Sequence, residues 1–176
     1  MILESVEMKE LIQLVNDGRN VMLFGPDSSD SLLAINNYFL KLQRNGKKVA
    51  ILEISDNWSA SDFSNHIYRA TKETFYLNAT EMSVNWTYQD IMKDALYLVD
   101  AQCEEQGTQA TLVLKEFHLL EKMVGGRVDA AFRTIIQRTQ NISFVFMSSN
   151  NQALSRMFIH KSKPLYGMAS SINFSD

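Results

Sequence analysis

Val21-Met22-Leu23-Phe24-Gly25-Pro26-Asp27-Ser28-Ser29-Asp30-Ser31-Leu32 is the stretch that decides how this 176-residue chain is expected to fold. Four consecutive apolar residues read as a short strand buried on both faces, and Gly25-Pro26 ends it. Ser29 or Asp30 can cap a helix whose apolar stripe is Leu32, Ile35, Phe39 and Leu42. A strand, a tight turn and a helix N-terminus in that order form an anion site from exposed amides and the helix dipole. The position and length are those of G-x-x-x-x-G-K-[ST]. Only the first glycine, Gly25, matches. Asp30 stands for the second glycine, Ser31 for the phosphate-binding lysine and Leu32 for the magnesium-binding hydroxyl. Losing the lysine removes a positive charge, and Asp27 and Asp30 bring two negative ones toward any phosphate. A like-charge pair in contact costs about 4 kcal/mol at an effective dielectric near 20. Taken alone, the octapeptide Gly25 to Leu32 reads as an ordinary turn followed by a helix cap, and only the downstream strands make it a phosphate-loop position.

Outward from this loop, short apolar runs alternate with stretches of helical period. Upstream, Met8, Leu11, Ile12 and Val15 share one helical face, closed by Asp17-Gly18. Downstream, Asn45-Gly46 ends the second helix and Lys48 to Ile54 forms the second strand. Ser61-Asp62 opens a helix expected to bury Phe63, Ile67, Ala70 and Thr74. Leu77 to Asn85 is a polar excursion. A long helix runs from Thr87 to about Gln106 with Tyr88, Ile91, Ala95, Leu98 and Gln102 in register, and Gly107 stops it. Ala110 to Leu114 is the third strand. A helix carrying Val128, Phe132, Ile135 and Ile136 leads to the strand Ile142 to Met147. A short helix near Leu154 to Phe158 and an extended piece, Ala169 to Phe174, follow. Such alternation implies right-handed crossovers and a mainly parallel sheet of about five strands, covered on both faces. The expected fold is therefore a three-layer αβα sandwich forming a single domain over residues 1–176.

Composition agrees with a globular chain: apolar residues are 45% and charged residues 21%. The net charge of −3 argues against a nucleic acid or an anionic membrane held by bulk electrostatics. One cysteine, Cys103, allows no internal disulfide, which suits a reducing compartment. With no secretory signal and no bilayer-length apolar run, a cytoplasmic location is expected. His66, His118 and His160 have no metal-ligand spacing, and no metal site is expected.

Two further strand ends carry polar residues. Thr111-Leu-Val-Leu-Lys115-Glu116-Phe117-His118 falls where a nucleotide hydrolase places a metal-binding Asp followed by a Glu that polarises water. Glu116 occupies the second position and Lys115 the first. An ammonium cannot coordinate magnesium, but it is a candidate partner for Asp27, Asp30 or Glu116. Without a metal partner, Glu116 also reads as a solvated strand-end carboxylate, and His118, following it, either lines the vestigial pocket or is a surface imidazole. Ile142 to Met147 ends in Ser148-Ser149-Asn150, where Ser149 and Asn150 stand either beside a phosphate or simply as the cap of the next helix.

The runs Leu112 to Phe117, Leu119-Leu120, Phe132-Arg133 and Asn141 to Asn150 resemble the archaeal-type ATPase branch of the AAA+/STAND P-loop NTPases. So do Leu154 to Phe158 and Lys163-Pro-Leu-Tyr-Gly-Met-Ala169. The resemblance implies a RecA/AAA+-like sandwich that binds ATP and Mg2+ and acts as a mechanical or signalling switch. The departures, at Asp30, Ser31, Leu32 and Lys115, fall on the family's nucleotide and metal contacts. The chain also ends where that family continues into a helical lid, so no lid domain is expected. The function expected is a degenerate NTPase-like interaction or scaffold module, without cofactor, that binds another protein or its own copy. In that reading Gly25, Pro26, Asp27, Ser28, Ser29, Asp30, Ser31 and Leu32 form a vestigial loop, with Lys115, Glu116, Ser149 and Asn150 beside it. The alternatives are a genuine ATP- and Mg2+-binding switch that uses Glu116, and a nucleic-acid-associated regulator resembling replication initiators.

Overall fold

A computed structural model describes residues 5–25, 29–75 and 85–174. In chain order the elements are α1 (Val6–Asn16), β1 (Val21–Phe24), α2 (Ser29–Arg44), β2 (Lys48–Glu53), α3 (Ala60–Phe75), α4 (Tyr88–Gln106) and β3 (Ala110–Lys115). A short 3-10 helix (Phe117–Lys122), α5 (Val128–Arg138), β4 (Ile142–Met147), α6 (Asn151–Ile159) and β5 (Ser170–Asn173) follow. The strands form one five-stranded sheet in the order β2-β3-β4-β1-β5. Every neighbouring pair is parallel, with Leu23 opposite Met147 and Glu53 opposite Lys115.

Strand alternation divides the interior into two cores. Val21, Leu23, Val113, Val145, Met147 and Ile172 face α1 and α2, packing on Met8, Leu11, Ile35 and Phe39. Met22, Leu112, Leu114, Phe144 and Phe146 point the opposite way, onto α3, α4, α5 and α6. Side chains of successive strand residues leave on opposite faces, so an unbroken apolar run requires helices on both sides. That is the sandwich expected.

The termini of the helices show why they stop where they do. Ser5 caps α1 by accepting the Met8 amide at 3.1 Å. Thr87 and Asp90 cap α4 reciprocally, and Gly107 ends that helix in the left-handed region.

Three expectations need correction. The buried face of α3 is turned toward Tyr68, Thr71 and Phe75, while Ala70 and Thr74 are only partly covered. In α4 the inward residues include Met92, Leu96, Val99 and Cys103, while Leu98 and Gln102 lie at the margin. Both helices pack against each other as well as on the sheet, which widens and rotates the buried arc beyond a single i, i+4 row. Leu32, assigned to the inner stripe of α2, is exposed because it sits in the first turn, ahead of the point where α2 meets the core. The polar excursion Leu77 to Asn85 lies outside the described residues except for Asn85.

Candidate functional site at the strand ends

In an open parallel sheet, ligand sites gather outside the carboxyl ends of the strands, where neighbouring connections leave toward opposite faces. Here that place lies between β1 and β4. The connection after β1 enters α2 on one face, and the one after β4 enters α6 on the other. Gly25 and Ser148 to Asn150 therefore flank the crevice, and Lys115-Glu116 closes it one strand further on.

Gly25 adopts a left-handed conformation with φ of +66°. A Cβ built on it would lie 2.7 Å from the Phe174 carbonyl oxygen, so the turn after β1 accepts only glycine without displacement. The Phe174 amide donates to the Phe24 carbonyl at 2.8 Å, tying the end of β5 to the same turn. Pro26, Asp27 and Ser28, and the side chain of Ser29, lie outside what the structure describes. Asp30 is exposed in the first turn of α2, followed by half-buried Ser31 and exposed Leu32.

Glu116 also has a left-handed backbone, with φ of 54°, at the turn from β3 into the 3-10 helix. This conformation is costly for a non-glycine residue. It aims the carboxylate across to the end of β4. There it accepts the Ser149 hydroxyl at 2.6 Å and the Ser149 amide at 3.2 Å. The His118 Nδ1 lies 3.5 Å from the same carboxylate and 2.7 Å from the Ser148 hydroxyl. Side-chain exposure is 11% for His118 and 29% for Glu116, while Ser149 is exposed, so the cluster runs from a covered imidazole out to the surface. Ser148 accepts the Asn150 amide at 2.9 Å, and its own proton reaches the Asn150 carbonyl at 3.1 Å. All partners are satisfied when Nδ1 carries a proton and donates it toward Ser148, beside the carboxylate. Serine and carboxylate thus share one ring nitrogen. A relay that passes a serine proton through the ring needs them on different nitrogens, so the cluster is not a hydrolytic triad.

The sequence reading is corrected at one point here and narrowed at another. Lys115 was a candidate partner for Asp27, Asp30 or Glu116; among the described residues no ion pair joins it to Asp30 or Glu116. The left-handed turn sends the Glu116 carboxylate toward β4, and strand alternation puts Lys115 on the α1/α2 face with Val113. Asp27 lies outside the described residues. Of the two places open to His118, the structure gives the one beside Glu116 and not the surface: it is packed between Glu116 and Ser148. The available signal was its spacing, two residues after a strand-end carboxylate and level with the polar end of an adjacent strand. Asn150 takes the helix-cap role, its side chain accepting the Ala153 amide at 2.9 Å. Among the described residues no group of three or more His, Cys, Asp or Glu side chains is placed to hold a metal ion.

The strand order, the glycine turn after β1 and the polar ends of β3 and β4 can be compared with solved structures. A Walker-type ATPase of Pyrococcus abyssi superposes with a TM-score of 0.67 at 13% identity, over 95% of this chain and 51% of that one. The fold is that of a P-loop ATPase domain. The Cdc6p protein of Pyrobaculum aerophilum shares this P-loop fold at a TM-score of 0.62 and 13% identity, over 98% of this chain and 45% of that one. The ORC1 protein of Aeropyrum pernix, solved in complex with DNA, gives 0.59 and 10% over 96% and 44%. The chain therefore spans about half the length of these P-loop proteins. No protein-family model matches it, and no curated protein does. Among the described residues no helix is long and apolar enough to cross a membrane.

Proposed function

We propose that this chain is a degenerate P-loop NTPase-like module that does not hydrolyse ATP and works by binding another protein or a second copy of itself. The observation that carries this reading is the engagement of Glu116. Its carboxylate is held by Ser149 and faces His118, while Lys115 ends the strand just before it. Magnesium is bound by oxygen ligands, usually a carboxylate together with the substrate phosphates. An ammonium at Lys115 and an exposed hydrocarbon at Leu32 supply none, so these side chains do not fit a magnesium nucleotide. No chemical step is assigned through one. With its oxygens already accepting hydrogen bonds, Glu116 acts as a clip between β3 and β4 rather than as a base.

Calorimetric titration with ATP and Mg2+ tests this directly. The expected result is no binding in the micromolar range, and micromolar binding would overturn the proposal. A second reading, an ATP-binding switch with unusual contacts, draws support from the strand, left-handed glycine and helix kept at Gly25. It requires both that binding and a turnover abolished by Glu116→Gln. Nucleic acid enters only by likeness of fold to proteins solved with DNA, against a net charge of −3.

A further inference from the structure

A pocket of about 520 Å³ lies away from the strand-end crevice, between the 3-10 helix, the start of α5 and the turn after α6. Its lining includes four cations, Lys122, Arg127, Arg156 and Lys163, against two carboxylates, Glu121 and Asp129. The local balance is two positive charges in a chain whose total is −3. We propose that this pocket docks an acidic, partly apolar peptide segment of a partner protein. The proposal rests on the reading that the chain works through protein binding, and it names the chemistry of the partner.

Three of the four cations are held by the pocket's own carboxylates before any ligand arrives, Arg127 by Asp129 at 3.1 Å and the other two by Glu121. Glu121 is largely buried and takes Lys163 on one oxygen at 2.7 Å and Arg156 on the other at 2.8 Å. An ammonium has three donors and a guanidinium five, so both heads keep N–H groups free to point outward. The turn that carries Lys163 is fixed. Arg133 donates to the Pro164 carbonyl, the Gly167 amide donates to Phe158 at 3.0 Å, and Leu165 is fully buried. Little ordering is left for a ligand to impose. Among the described residues Lys122 has no carboxylate partner, which leaves its charge unspent.

The same segments expose large apolar side chains. Val124 is 72% exposed, Ile159 55% and Tyr166 41%, each within three residues of a pocket cation. Ile159 also shares a smaller neighbouring cleft with Arg156. Pocket cations whose own segments also expose apolar side chains match a peptide that alternates acids with leucines or aromatics. A nucleic acid would need a cationic track along many phosphates. The four cations share one pocket, the rest of the chain is acidic, and exposed apolar side chains on the same segments have no use against a phosphate backbone.

The test is fluorescence anisotropy of the full chain with a fluorescein-labelled peptide repeating the triplet Glu-Glu-Leu, at low salt. Saturable binding is expected. It should weaken about tenfold in the double variant Lys122→Glu/Arg127→Glu, weaken several-fold with a Glu-Glu-Ser peptide, and stay unchanged in Lys9→Glu/Lys47→Glu at remote sites. Both substituted positions of the test variant are exposed, and its melting temperature should match that of the parent. No peptide binding, an equal loss in the remote variant, or tighter binding of oligothymidine than of the peptide would each overturn the proposal. The ATP titration reads a different site, so nucleotide binding with peptide docking intact would sink the earlier reading alone.

Discussion

At the scale of single residues, Gly25 and Glu116 mark the two backbone turns that shape the crevice, and they respond differently to substitution. Gly25→Ala meets a left-handed conformation and a backbone carbonyl 2.7 Å from the new Cβ. The left-handed term alone costs about 1–2 kcal/mol, and the carbonyl can retreat only by loosening the end of β5. A melting temperature lower by about 5 °C is therefore expected for a chain of this size, and an unchanged melt would show that the turn relaxes freely. Glu116 sits in the same region of backbone space with a side chain that compensates through Ser149. This contrast explains how much was legible at this scale. Gly25 announces its turn in the sequence, because glycine before a helix cap is a pattern. Nothing in Lys115-Glu116-Phe117 announces a left-handed glutamate, since the cause is a serine more than thirty residues away. The pairing of Lys115 with Glu116 failed for the same reason. Proximity in a motif gave the neighbours, but the backbone angle chose the direction.

Between elements, two carboxylates tie segments that are distant in sequence. The Asp100 side chain on α4 accepts the amides of Gln140 at 2.9 Å and Asn141 at 2.7 Å, fixing the chain as it enters β4. Asp100→Ala strips two donors of a charged acceptor and should cost about 1–3 kcal/mol in urea unfolding, with Asp100→Asn losing less. Glu121 links the 3-10 helix to α6 and to the turn beyond it. Burial works to raise its pKa, but the hydrogen bonds and charges of Lys163 and Arg156 outweigh that and hold it below the ordinary carboxylate range. A depressed folded-state pKa means stability that is fully present above the unfolded value, about 4.3 for glutamate, and lost as pH falls through the folded one. The stability gap between the parent and Glu121→Gln should thus be constant near neutrality and close under acid conditions. A gap that widens on acidification would contradict the assignment. Element type and order were readable from apolar period and caps. The inward arcs of α3 and α4 were not, because those helices cover each other and a single-face pattern assumes one partner. The 3-10 helix after β3 also escaped the reading. Phe117 and Leu120 are spaced three apart, a signal too short to separate from a loop.

For the molecule as a whole, cohesion on one side of the sheet rests on a cluster of rings. Phe117 lies 4.5 Å from Phe146, 5.8 Å from Phe132 and 5.9 Å from Phe158, joining the 3-10 helix, β4, α5 and α6. It is fully buried, so Phe117→Ala should lose about 3–5 kcal/mol, seen as a melt lower by about 10 °C. A loss under 1 kcal/mol would mean that the cluster collapses without cost.

The placement of β1 has a consequence for the life of the chain before it is folded. Its two neighbours, β4 and β5, both come from the last third of the sequence, and Asn20 just ahead of it bonds to Phe144 and Met168. During synthesis this apolar strand leaves the ribosome early and waits, with both hydrogen-bonding edges bare, for partners not yet translated. Pairings of such long range form late and leave sticky edges open meanwhile. A strand paired on both edges in the finished sheet is thus the one with the longest exposure in the nascent chain. Chaperone capture during translation, or misassembly with a neighbouring nascent chain, would begin there.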